Sequence, residues 1–280
     1  MSKKILFNAF DMNTAVHQSQ GFWRHPRDRS GEYTSIHYWQ KLARKLEEGK
    51  FDGLFLADVT GIYDVYGGNA DAALRNAVQV PNNDPFLIVP AMAAVTEHLG
   101  FGITGAITYE PPYTFARKMS TLDHLTDGRV GWNIVTGYLN SAAKASGAQA
   151  QTGHDTRYEI AEEYMELMYK LWEGCWEKDA VVRNRETGLY VDPSKVHPVK
   201  HDGQYFRLNG IHLAEPSRQR TPVLYQAGAS PKGQAFAGRH AECVFISSPT
   251  KPVLISTVKK IRAAALEREH DLRGWSCLSF

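Results

Sequence analysis

Short apolar runs alternate with longer amphipathic stretches along most of the chain. Runs of strand length that end in polar or small residues lie at 5–10, 53–58, 100–106, 130–136, 222–228 and 243–248. Between them, apolar residues recur at helical spacing over 36–49, 85–98, 113–125 and 157–176. Alternating strands and helices predict an α/β fold in which parallel strands are joined by right-handed helical crossovers.

Two segments depart from this alternation. Residues 181–220 are rich in Gly, Pro, Asp and His, which predicts an insertion of irregular or hairpin structure before the fifth strand. Residues 271–280 show no strand pattern. We therefore expect a single domain over residues 1–280, with an insertion at 181–220 and six strands.

The composition narrows the class of protein. The 280 residues carry 32 Lys+Arg and 30 Asp+Glu, and this near-neutral balance argues against a dedicated nucleic-acid binder. The three cysteines are widely spaced and form no CxxC pair, so they indicate neither a disulfide framework nor a metal site. No stretch approaches the about 20 apolar residues of a membrane span, and no signal-peptide cleavage site follows the N-terminus. We expect a cytoplasmic protein with no membrane partner.

Polar or small residues stand where the apolar runs end. These are Asp58, Thr104, residues 133–136 and residues 228–230. In a β/α barrel the carboxyl ends of the strands carry the chemistry, so this pattern places a candidate site there. The chain has no GxGxxG after its first strand, no Walker A loop, no HExxH and no GxSxG. It therefore lacks the motifs of dinucleotide-binding proteins, P-loop nucleotide-binding proteins, zinc metalloproteases and serine hydrolases.

Six stretches in a consistent order resemble one family. They are GFWRHPRD (21–28), EEGKFDGLFLADV (47–59), VPAMAAVTEHLGFG (89–102), YEPPYTFARKMSTLDHLTDGRVGWNIVT (109–136), GHDTRYEIAEEYMELMYKLWEG (153–174) and PVLYQAGASPKGQAFAGRHAECVF (222–245). They are similar to the bacterial-luciferase-like flavin-dependent monooxygenases, in the branch of nitrilotriacetate, EDTA and dibenzothiophene-sulfone monooxygenases. The resemblance implies a (β/α)8 TIM barrel and a two-component oxidoreductase. Such an enzyme uses O2 and reduced FMN, which a separate NAD(P)H-dependent flavin reductase supplies. Family members commonly form homo-oligomers.

The resemblance also assigns residues to the cofactor. The positions that match flavin-binding positions of the family are Asp58, Thr104, Asn133, Thr136, His154, Tyr158, Ala229 and Ser230. His154 and Tyr158 match the end that binds the ribityl phosphate. Ser230 precedes Pro231 at the start of a predicted helix, and a helix N-terminus favours anions.

The catalytic residues are less well defined by the sequence. His17 and His25 flank the loop after the first strand, where the family has its substrate lid. The substrate-side histidine pattern of the sulfone enzymes is absent, because the chain has HQSQG at residues 17–21. His17 and His25 are therefore the only catalytic candidates, and no metal ligands are expected.

The chain aligns with the family to about residue 264, and the last third of the family has no counterpart in it. A closed barrel of this kind needs about eight strands, so we expect one shortened after about six. Three interpretations stay open. The first is an FMN-dependent monooxygenase acting on a small sulfone, amino-polycarboxylate or alkane-like substrate. The second is a non-catalytic remnant that at most binds FMN or a partner subunit. The third is a deazaflavin-dependent hydride-transfer enzyme.

Overall fold

Strands and helices alternate through most of the computed structural model, which describes residues 5–228, 230–266 and 276–279. The strands are β1 (Asn8–Met12), β2 (Gly53–Ala57), β3 (Gly100–Ala106), β4 (Val130–Val135), β5 (Val181–Asn184), β6 (Leu189–Val191), β7 (Val199–Asp202), β8 (Arg207–Gly210), β9 (Val223–Gln226), β10 (Cys243–Ile246) and β11 (Ser276–Ser279). The helices are α1 (Ile36–Glu48), α2 (Asp71–Asn76), α3 (Val89–Ala93), α4 (Pro112–Leu125), α5 (Asn140–Ala145), α6 (His154–Trp172), α7 (Pro231–His240) and α8 (Lys251–Leu266). Short 3-10 turns lie at Phe22–Arg24, Ser30–Glu32, Tyr66–Gly68, Pro85–Leu87 and Pro193–Lys195.

The chain divides into two units. The first comprises Met1–Ala106 and Arg129–Gly153, and the second comprises Ile107–Gly128 and His154–Phe280. The expectation of a single domain over residues 1–280 stays a prediction, as does that of a barrel shortened after about six strands.

The first unit is built on four parallel strands in the order β1-β2-β3-β4. In β2, Leu54, Phe55 and Leu56 are all buried, so both faces of the strand are covered. Near-continuous apolar runs of this kind are typical of parallel strands packed on both faces. Because parallel strands end at the same edge, residues that follow β2, β3 and β4 are brought to one side of this sheet.

The second unit combines parallel strands with two hairpins. β10 pairs in parallel with β9 and with β11. Residues 181–220, predicted as an insertion, form the antiparallel pairs β5–β6 and β7–β8. The indole N–H of Trp172 on α6 donates to the Ala116 carbonyl of α4 at 3.2 Å, which fixes how these two helices pack.

Two of the element predictions were wrong. The absence of a strand in 271–280 is contradicted by β11 at Ser276–Ser279. The helix expected over 85–98 is reduced to a 3-10 turn and the five residues of α3. The Arg129 guanidinium binds the carbonyls of Ala93, Thr96 and Leu99, and the Glu47 carboxylate accepts the N–H groups of residues 97–99. Among these groups, the Ala93 carbonyl and the N–H groups of residues 97 and 98 are ones that a helix over 85–98 would have paired internally.

Candidate functional site

Two strand-end side chains of the first unit form a direct pair. Thr104 on β3 and Asn133 on β4 are register partners, and Asn133 Nδ2 donates to Thr104 Oγ1 at 2.9 Å. Both residues are buried. Asn133 Oδ1 has no hydrogen-bond partner among the described residues, so it remains a buried acceptor. Thr136 is half-buried and follows β4 directly.

Asp58 follows β2 directly, and its carboxylate is paired with an amide. Asn82 Nδ2 donates to Asp58 Oδ1 at 2.7 Å. Burial raises the pKa of Asp58 from 3.8 to about 6, the Asn82 hydrogen bond opposes this, and the nearby Asp84 carboxylate adds to it. A carboxyl with this pKa can hold or release a proton near neutral pH.

His17 belongs to a network that the sequence did not predict. Its ring lies 4.5 Å from the Phe10 ring, and burial lowers the pKa of the imidazole. Gln79 Nε2 donates to the His17 carbonyl at 3.1 Å, and Gln79 Oε1 accepts from the Tyr63 hydroxyl at 3.1 Å. The Tyr63 hydroxyl in turn hydrogen-bonds the Tyr138 hydroxyl. The His17 backbone is thereby hydrogen-bonded to a chain of three uncharged side chains, two of them aromatic.

His25, the other catalytic candidate, is exposed and held within its own loop. Its ring stacks on Phe22 at 5.5 Å, and its Nδ1 accepts the Arg27 backbone N–H at 3.2 Å. Nothing in these contacts activates His25 as an acid or a base.

In the second unit, Tyr158 and Ser230 lie together at the start of α7. Ser230 is the N-cap of this ten-residue helix, and its Oγ accepts the Gly233 N–H at 3.0 Å. The Tyr158 hydroxyl hydrogen-bonds both Ser230 and Gln226. Helix N-termini attract anions through their free N–H groups and their dipole, so this cluster is suited to an anionic group.

Two glycines allow the backbone to approach this hydroxyl cluster. A Cβ on Gly233 would lie 2.7 Å from Tyr158 Oη and 3.0 Å from the Gly228 Cα. A Cβ on Gly228 would lie 2.5 Å from Gln226 Nε2 and 3.0 Å from Tyr158 Oη. The QAGASPKG segment therefore needs glycine at both positions because of this close packing, and not because of an unusual φ.

His154 lies beside this cluster at the first residue of α6. Its ring centroid is 5.2 Å from that of Tyr158, and its Nδ1 is 2.7 Å from Asp155 Oδ1. His154 and Lys232 both lower the pKa of Asp155. Ala229, which was also assigned to the cofactor, lies outside the described residues.

Metal-binding clusters and membrane-spanning helices are both absent from the described residues. No group of three or more His, Cys, Asp or Glu side chains within them is placed to hold a metal ion. None of their helices has the length and apolar character to cross a membrane.

Comparison with known proteins identifies close relatives. The chain is 55% identical to dimethyl-sulfide monooxygenase of Hyphomicrobium sulfonivorans, over 97% of this chain and 57% of that protein. A crystal structure of long-chain alkane monooxygenase superposes with a TM-score of 0.98 at 52% identity, covering 100% of this chain and 64% of that one. A crystal structure of riboflavin lyase with modified FMN and riboflavin has a TM-score of 0.94 at 40% identity, and the match covers 99% of this chain and 62% of that one.

These matches leave part of each relative uncovered. The chain spans about 60% of the length of the relatives it matches. The relatives also include the dibenzothiophene-sulfone and nitrilotriacetate monooxygenases expected from the sequence motifs, so the predicted branch is confirmed. The sequence model described as luciferase-like monooxygenase matches residues 18–276. The chain therefore belongs to the luciferase-like monooxygenase family.

Proposed function

We propose that this chain acts as the oxygenase component of an FMN-dependent two-component monooxygenase. A separate NAD(P)H-dependent reductase supplies reduced FMN, and O2 is the second substrate. The observation that carries the proposal is the hydroxyl pair Tyr158 and Ser230 at the α7 N-terminus, in a member of this family. The riboflavin lyase structure, at 40% identity, contains a modified FMN, which supports the choice of flavin.

Each unit contains a buried amide oxygen that has no hydrogen-bond donor among the described residues. Asn133 Oδ1 in the first unit and Gln226 Oε1 in the second are buried acceptors without partners among the described residues. Leaving such atoms unpaired costs about 1–3 kcal/mol each, so a ligand with donors is favoured at both places.

Bound reduced FMN supplies the two electrons that O2 activation requires. The residues of this chain bind and orient it. Ser230 and Tyr158 are proposed to bind the phosphate, with His154 as an adjacent donor. Thr104, Asn133 and Thr136 are proposed to contact the ring. Asp58 is proposed to hold or release a proton near it, because its pKa is about 6.

The substrate is proposed to be a small uncharged organic molecule. The relatives at 52–55% identity are named for dimethyl sulfide and for long-chain alkanes. His17 contacts Phe10, and its lowered pKa favours the neutral imidazole. A neutral imidazole beside an aromatic ring suits an organosulfur compound or an alkane better than an amino-polycarboxylate, whose charges would lose their hydration without a counter-charge.

Oxygen consumption coupled to product formation tests this function. The purified chain is mixed with a flavin reductase, NADH, FMN and either dimethyl sulfide, decane or nitrilotriacetate, and products are quantified by mass spectrometry. We expect an oxygenated product from one of the two uncharged substrates. A reductase-only sample measures the background, and full-length dimethyl-sulfide monooxygenase is the positive control. Saturable FMN binding without any product would favour the flavin-binding remnant instead.

A further inference from the structure

Gln226 is a buried amide whose two ends meet different surroundings. It is the last residue of β9 and is 2% exposed. Its amide nitrogen lies against Gly228 and the amide hydrogen-bonds the Tyr158 hydroxyl. Its Oε1 is buried and has no hydrogen-bond partner among the described residues. The amide nitrogen is therefore hydrogen-bonded within the protein, and the amide oxygen remains a buried acceptor for a ligand.

The hydrogen bonds at Tyr158 show what the nitrogen end achieves. Burial raises the pKa of Tyr158, and hydrogen bonds with Ser230 and Gln226 lower it. Because Gln226 Oε1 has no hydrogen-bond partner among the described residues, Gln226 bonds Tyr158 through its amide nitrogen, which can only donate. The phenol proton then points away from the Gln226 nitrogen. Tyr158 is thus prepared to donate to an anion beside the α7 N-terminus.

The oxygen end requires a ligand of different chemistry. A buried amide oxygen needs a hydrogen-bond donor, and a phosphate dianion has no proton to donate. The ribityl chain of a flavin joins the ring to the phosphate and carries hydroxyl donors along its length. An acceptor beside a phosphate-binding tyrosine is therefore matched by those hydroxyls.

Resting on the flavin function proposed above, we propose that Gln226 is a ribityl-binding residue. Its Oε1 accepts a hydrogen bond from a ribityl hydroxyl, and its amide nitrogen orients the Tyr158 hydroxyl toward the phosphate. Discrimination between flavins with and without a ribityl chain would then come from this position.

The test compares three flavins that differ by one group each. FMN carries ribityl and phosphate, riboflavin carries ribityl alone, and lumiflavin has the ring without either. Affinities of the purified 280-residue chain are measured by fluorescence titration for the wild type and for Gln226→Met, which keeps the side-chain length without the amide. Gln204→Met is the matched control, because Gln204 is exposed in the same unit and its side chain bonds Tyr205 on the surface. Thermal unfolding of the flavin-free proteins is recorded in parallel.

We expect Gln226→Met to weaken riboflavin binding about tenfold, to weaken FMN binding at least as much, and to leave lumiflavin unchanged. The flavin-free variant should melt close to the wild-type temperature, because it loses an unpaired buried oxygen together with one hydrogen bond to Tyr158. Equal loss for all three flavins with a lower Tm would show a merely structural role, and equal loss with an unchanged Tm would place the acceptor at the ring. Unchanged affinities would also overturn the proposal. If the wild type binds none of the three flavins, the proposed function itself fails.

Discussion

Asp58→Asn is expected to stabilise the protein at neutral pH. The carboxylate is held in a partly buried position after β2, with hydrogen bonds from the Asn82 amide and the Val59 backbone and with the Asp84 carboxylate nearby. An asparagine has the same shape and keeps an oxygen for the Asn82 N–H. It removes the charge that burial and Asp84 disfavour, so the substitution isolates the cost of ionising residue 58.

The size of this effect follows from the pKa. The pKa of Asp58 is raised from 3.8 to about 6, so between these pH values the folded state holds a proton that the unfolded state has lost. At pH 7, above both values, ionisation costs the folded state about 3 kcal/mol. At pH 4 the cost is below about 1 kcal/mol, because the folded-state carboxyl is then mostly protonated. The contribution of Asp58 to the stability of the wild type should therefore fall as pH rises from 4 to 7, and this contribution should vanish in the variant.

Urea unfolding at pH 4 and at pH 7 measures the difference. The stability gain of Asp58→Asn over the wild type should be about 2 kcal/mol larger at pH 7 than at pH 4. Asp11→Asn is the companion variant, since burial also raises the pKa of Asp11 to about 6 while Asp11 has no assigned role at the flavin. Both variants should show the same pH signature, and only Asp58→Asn should alter catalysis. An equal gain at the two pH values would refute the reasoning.

Gly233→Ala should destabilise the protein by about 1–3 kcal/mol and weaken FMN binding, since its Cβ would lie 2.7 Å from Tyr158 Oη. Gly210→Ala, with no heavy atom within 4 Å of its Cβ, should do neither, and equal urea midpoints for the two variants would contradict the close-packing argument. Glu47→Gln should lower stability at pH 7, because the carboxylate accepts three backbone N–H groups before β3. Its pKa is lowered from 4.5 by these bonds, so the loss should shrink as pH falls through that range, as pH-dependent urea unfolding would reveal.

The sheet was predictable because its signal is local. The run at 100–106 became β3 with identical bounds, and the run at 130–136 became β4 with one residue fewer. The helix at 85–98 was not predictable, because Glu47 and Arg129 lie far from it in sequence and take its backbone groups. Hydrophobic pattern and helix propensity carry no information about hydrogen bonds from side chains that are distant in the sequence.

The same distinction between local signals and distant contacts applies to the candidate site. Ser230 before Pro231 predicted a capped helix, and the cap is present at the start of α7. Asn82, Gln79 and Gln226 gave no signal, because each acquires its role only through a partner brought close by folding. Amide side chains of this kind are common in any sequence, and burial alone distinguishes them.

The two hydrogen bonds of Ser141 restrict how the lengths of two segments can vary in this family. Its single hydroxyl accepts the Ile62 N–H at 3.1 Å and donates to the Ile62 carbonyl at 2.6 Å, so it joins the segment after β2 to the start of α5. Tyr63 and Tyr138 join the same two segments beside it. An insertion in one segment would displace the hydrogen-bond partners of the other segment. The lengths of the two segments are therefore expected to change together during evolution.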